Sequence, residues 1–213
     1  MKYTIKSLIL LLTACCLYGC YGIQESYDYK PAKANPYLNQ SVWEYIESRQ
    51  DIFSLFKACV EHVDAAYPGF KDLYTQTTEK YTYLLLTNNA FSGTLGIFNQ
   101  IGGSTAITEV DALDPEKLRD ALLYHIVEGH YHSLDVSGSL SFSRIYVVTL
   151  LKKQDAIMTM KLEDNTGRNY YTRLVVNENT GSSLERWAKT SNLVATNGIV
   201  HVFDSYIYYK PAL

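Results

Sequence analysis

The side chains best equipped for chemistry are histidines, and three of them lie close together: His125, His130 and His132. A zinc site needs imidazoles converging on one tetrahedral point. On a helix that convergence comes from ligands four residues apart, as in His-Glu-x-x-His, and that pattern is missing here. His125 falls on an apolar face with Leu118, Ala121 and Leu122, whereas His130 and His132 lie beyond Gly129. The expected role of His125 is structural: buried, hydrogen-bonded, tying its helix to neighbouring strands, with no metal. In the run Ile199, His201, Phe203 the three side chains share one strand face, and Val200 and Val202 take the other. His201 is therefore expected to be a sheet histidine with one hydrogen-bond partner. Asn88 and Asp204 are expected to brace turns through side-chain-to-backbone bonds.

Nucleophilic chemistry finds little support. Cys59 sits on an apolar helical stripe, where a lone thiol acts as a small hydrophobe. There is no Gly-x-Ser-x-Gly elbow. Gly93-x-x-Gly96 is too short for a phosphate loop, so no nucleotide cofactor is implied. A hydrolase would require His125 or His201 to meet both a hydroxyl and a carboxylate, and it stands as a second alternative only. The chain carries no Lys/Arg run, which leaves no electrostatic footprint for nucleic acid.

The compositional oddity is tyrosine, with 19 in 213 residues. Tyrosine pairs a rigid apolar face with a polar tip and suits wet interfaces and sugar stacking. Half-buried strands also favour it. Tyr170-Tyr171 and Tyr206, Tyr208 and Tyr209 are the candidate binding surface, since strand alternation should leave some of them exposed.

These residues depend on elements the sequence marks clearly at its helical starts. Ser41-Val42-Trp43-Glu44 is a capping box. A second helix is expected after Asp51, with Ile52, Leu55, Phe56, Cys59, Val60 and Val63 on one stripe and Pro68-Gly69 closing it. Tyr81–Leu86 reads as a buried strand, broken by Thr87-Asn88-Asn89; Ala90-Phe91 then starts a short helical stretch ending at Gly102-Gly103. Asp114-Pro115-Glu116 starts a helix that Gly129 should stop. Strands follow: Ile145–Leu151, a run from Ile157, a polar turn at Glu163–Gly167, and Tyr171–Val176. Ser183–Lys189 is expected to be helical. Near the end, Asn197-Gly198 is expected to supply the two positive φ angles of a type I′ hairpin. Helices early and strands late give an α+β domain.

The N-terminus is an export leader: Lys2 and Lys6 precede an apolar run far shorter than the roughly 20 residues of a membrane span. It ends in Leu17-Tyr18-Gly19-Cys20, which resembles the lipobox of bacterial lipoproteins, with Cys15 the competing position. The organisation that follows is a signal peptide at 1–19, a lipidated Cys20 with a spacer to residue 40, and a domain at 41–213. Loss of Lys2 and Lys6 with the leader takes the formal charge of −3 two units lower.

Three separated motifs carry a family resemblance. Thr82–Phe91, with Thr87-Asn88-Asn89-Ala90-Phe91, is similar to the first box of the fasciclin domain family. Asn197-Gly198-Ile199-Val200-His201-Val202-Phe203-Asp204 is similar to its second box. Tyr124-His125 matches the Tyr-His element between them. Leu86 stands where the family usually carries proline, and the stretch from Ser139 to Thr190 matches nothing tightly. The resemblance implies a wedge of two β-sheets with helices packed at one edge, and action by adhesion or recognition of a protein or glycan ligand rather than catalysis. Together with the leader it implies export and lipid anchoring to the bacterial envelope, at the outer membrane or cell surface. The first alternative is a carbohydrate-binding lipoprotein of a surface glycan-uptake system.

Overall fold

The computed structural model describes residues 35–103, 107–133, 144–153, 156–165, 171–177 and 185–207. Ser41 caps the first helix, α1 (Val42–Ser48): its hydroxyl accepts from the Glu44 amide at 3.3 Å, and its own amide donates to the Glu44 carboxylate at 2.7 Å. The second helix, α2 (Gln50–Ala66), buries Phe53, Phe56, Cys59, Val60 and Val63 completely. Ile52 and Leu55, expected on that stripe, are half-buried at its border. A one-turn helix α3 (Asp72–Thr75) leads into strand β1 (Tyr81–Leu86). After it the chain forms a 3-10 turn at Asn88–Ala90 and a separate helix α4 (Ile97–Gly102), rather than one continuous helical stretch. Asp114 then caps α5 (Pro115–Tyr124), accepting from the amides of Glu116 and Lys117.

Helix α5 stops at Tyr124, five residues before Gly129. The β-branched Ile126 and Val127 leave the helix for strand β2 (Ile126–Glu128), which pairs with β1. Gly129 serves the turn after that strand, with φ +93°. The remaining strands are β3 (Ile145–Val148), β4 (Ile157–Asn165), β5 (Tyr171–Val176), β6 (Arg186–Trp187), β7 (Thr190–Ala195) and β8 (Gly198–Phe203). Two sequence expectations fail here. Residues 163–165 are not a turn but the end of β4, where Glu163 faces Arg173 across the ladder. Nor are 185–189, the described part of the expected helix, helical: β6 pairs with β5, and its continuation is taken up by both sheets.

The strands form two four-stranded sheets, ordered β2-β1-β8-β7 and β3-β4-β5-β6. In the first, β1 and β8 run parallel in full register from Tyr81↔Gly198 to Leu86↔Phe203, while the outer pairs are antiparallel. Both central strands are near-continuous apolar runs, as strands covered on both faces require, and every residue of β8 is buried. The sheets are stitched at two places. Leu150 donates to Ile126 O at 2.8 Å beside a Val127–Thr149 bridge. On the other side Ala188 donates to Leu174 O and the next residue, Lys189, to Val202 O. This is the α+β architecture of two sheets with helices that the resemblance implies.

Residues 36–40, assigned above to the spacer, add to the edge of β7: Val194 donates to Pro36 O, Leu38 to Val194 O, and Thr196 to Gln40 O. The β7–β8 hairpin differs from the expected type I′ turn. Ala195 pairs with Gly198, so the loop residues are Thr196 and Asn197, and neither Asn197 nor Gly198 has a positive φ. Glycine at 198 answers a packing need: a Cβ there would collide with the Tyr81 carbonyl oxygen and lie 2.6 Å from the Tyr83 ring.

Gly198→Ala should therefore lower unfolding free energy by about 2 kcal/mol or more through overpacking. Urea denaturation monitored by circular dichroism measures it, and an unchanged midpoint would contradict this account of the hairpin.

Candidate functional site

The motif residues meet in the structure, but each is engaged inside the fold. Thr87 donates its amide to Phe203 O at 2.9 Å, and Ala90 and Phe91 are buried. Asn88 reaches α2 rather than bracing its own turn: its Oδ1 accepts from the Leu55 amide at 3.0 Å, and its Nδ2 donates to Ser54 Oγ at 3.0 Å and to Asp51 O at 3.4 Å. The side-chain amide thus offers partners to both ends of one helical rung. Asn197 works similarly, accepting from the Val42 amide and donating to Tyr74 O, both at 2.9 Å. Tyr124 donates its hydroxyl to Asn177 Oδ1 at 3.1 Å.

His125 is buried at the end of α5. Its Nδ1 donates to Ala121 O at 2.7 Å, and its Nε2 lone pair has no partner. What ties it to the strands is its backbone, since Leu84 donates to His125 O. Burial pushes its pKa down to about 4, against the opposing effect of the Ala121 carbonyl. His201 has two ring partners instead of the expected one. The Asn192 amide donates to Nδ1 at 3.3 Å, so Nε2 carries the proton and donates to Tyr131 O at 2.9 Å. Burial also pushes its pKa to about 4, opposed by the Tyr131 carbonyl and assisted by His132. Among the described residues, neither ring has a hydroxyl or carboxylate partner of the kind the hydrolase alternative requires.

Asp204 pairs with Lys189 Nζ at 3.1 Å, and among the described residues its side chain makes no bond to a backbone turn. Tyr206, one of the tyrosines of the candidate binding surface, is only 6% exposed and stacks on His125 with ring centroids 5.7 Å apart. Strand β8 ends at Phe203, so alternation no longer governs which way Tyr206 points. Tyr170, Tyr208, Tyr209, the side chain of Tyr171, and Cys20 with its leader lie outside the described residues.

An open cleft of about 390 Å³ lies between the loop at 89–96 and the segments 185–187 and 204–206. No histidine lines it. Trp187, 44% exposed, and Leu95, 51% exposed, bring apolar surface to it, and Glu185, Arg186 and Asp204 bring charge. Neither Trp187 nor Leu95 was singled out from the sequence. The signal available was a tryptophan flanked by Glu185, Arg186 and Lys189, neighbours unsuited to a core position. Among the described residues, no group of three or more His, Cys, Asp or Glu side chains is placed to hold a metal ion.

A family model of the fasciclin domain matches residues 54–209, more than half of the chain. Among solved structures, the chain is similar to the FAS1 domain pair of the insect cell adhesion molecule fasciclin I, at 15% identity and a TM-score of 0.44. That likeness covers 78% of this chain and 45% of the other, so the chain spans less than half of that structure. No curated protein matches the chain.

The two buried imidazoles set a pH dependence. Below an ordinary pKa of 6.5 the unfolded state takes up protons that the folded state refuses until about pH 4. Stability should therefore be full above about pH 6.5 and fall progressively toward pH 4, by up to about 3 kcal/mol per histidine. Melting temperatures across this range measure it. His125→Phe should flatten part of the slope, and a flat wild-type profile would contradict the assignment.

Proposed function

The chain belongs to the fasciclin domain family, and on that premise we propose that it is a binding module of the bacterial envelope, anchored by lipid at Cys20 and acting in adhesion or ligand recognition. The observation that carries this reading is where the motif side chains go. Asn88, Asn197, Tyr124 and His201 are all committed to bonds that join distant parts of the fold. Both buried histidines are held neutral by burial. Recognition is thus left to the surface of a braced scaffold, which needs no bond-making step.

Among the described residues no helix is long and apolar enough to cross a membrane. Attachment in this reading falls to Cys20, where the several acyl chains of a lipoprotein would hold far more firmly than one. The ligand is a protein or glycan at the cell surface.

Cys20→Ser should move the protein from the membrane fraction to the soluble fraction on cell fractionation, with mass spectrometry of the wild-type N-terminus showing acylation. Deleting the gene should reduce adhesion to surrounding matrix and to neighbouring cells. Unchanged fractionation would sink the anchor, and unchanged adhesion would sink the adhesive role.

A further inference from the structure

We propose that the cleft beside Trp187 is a saccharide-binding site that takes a neutral mono- or disaccharide stacked on the indole. The inference rests on the binding-module reading and names the ligand class for it. Its first support is the way the tryptophan is held. Arg173 lies 4.6 Å from the Trp187 ring centroid, and its Nε and Nη2 both reach Glu163 Oε2, at 2.6 and 2.5 Å. Glu163 and Arg173 are direct cross-strand partners, while Trp187 pairs with Val175, two residues along from Arg173. The row Glu163–Arg173–Trp187 therefore stacks across three adjacent strands on one face of the sheet. An aromatic surface that remains 44% exposed is thus fixed before any ligand arrives, and this limits the ordering cost of binding.

The opposite wall is equally set. The side-chain amides of Asn99 and Gln100 both donate to Thr94 O, at 2.7 and 2.8 Å. Gly96 packs so tightly that a Cβ would lie 2.5 Å from Phe91 O. Arg186 donates to the Tyr206 and Glu185 carbonyls, at 2.9 and 2.7 Å. Carboxylates and hydroxyls from Asp204, Glu185, Ser92 and Ser205 line the same space.

One flat apolar face beside several polar side chains matches a sugar ring, whose C–H face stacks while its hydroxyls both donate and accept. With Glu185, Asp204 and Arg186 on the lining and Asp204 paired with Lys189, the cleft carries little net charge to draw in a charged ligand. The volume, about 390 Å³, falls in the range of small-ligand sites.

The test is an array of immobilised neutral mono- to tetrasaccharides probed with the purified full chain, followed by titration of bound sugars against tryptophan emission. Trp43 is only 4% exposed, so a ligand-induced change reports Trp187. At least one saccharide should bind. Trp187→Ala should weaken it about tenfold or more, and Trp187→Tyr should retain binding within about threefold. Arg173→Met should give an intermediate loss with an unchanged circular dichroism spectrum. No bound saccharide, or Trp187→Ala binding like wild type, overturns the proposal. If adhesion still depends on the gene in that case, the binding-module reading survives without it; if adhesion is also unaffected, both fail.

Discussion

The parallel pairing of β1 with β8 is the constraint from which the rest of the structure follows. The two strands are separated by more than a hundred residues of chain, so their union closes a very long loop, whose entropic cost the buried core must offset. Pairing brings Gly198 against Tyr81 and Phe203 against Leu86, and all of β8 and all of β1 beyond Tyr81 are buried. Because β8 lies inside, the hairpin that begins it must pack against the β1 backbone with no side chain between. Gly198 meets that requirement through size alone.

A sheet buried on both faces leaves polar groups that water cannot reach, and the motif side chains answer them. Asn88 fastens the turn after β1 to α2, and Asn197 joins the hairpin to α1 and to the end of α3. His201 links β8 to the chain after β2 and to β7. All but the bond from Asn192 to His201 span long sequence separations, and loss of a partner in the buried ones would strand a donor or acceptor. The motif side chains therefore fasten the two boxes to the helices and chain segments around them, while the β1–β8 ladder joins the boxes to each other. The segments that border the cleft lie at the ends of these elements, where side chains are open to ligand while their backbones stay fixed.

Local signals in the sequence carried well. The capping box at Ser41 and the Asp114-Pro115 helix start depend on side chains within three residues, and both form as written. Strand β1 was legible from its apolar run. Most of the failures involve distant partners. Ile126–Glu128 leave the helix because β1 is there to pair with them, and 163–165 stay extended because Arg173 faces Glu163. Residues 186–187 are drawn into strand by β5. Tyr206 turns inward onto His125 because strand alternation has ended, and the half-exposed Trp187 gained meaning only once Arg173 and the loop at 89–96 stood beside it. Asn197-Gly198 was found as a hairpin for the wrong reason: the turn is there, but the glycine answers a neighbour rather than a dihedral angle.

Native-state amide hydrogen exchange, read peptide by peptide, tests the dependence on β1 and β8 most directly. If their pairing is what the fold rests on, residues 82–86 and 199–203 exchange last, at one common rate set by global unfolding. Early exchange of either strand, or exchange of one independently of the other, would contradict it.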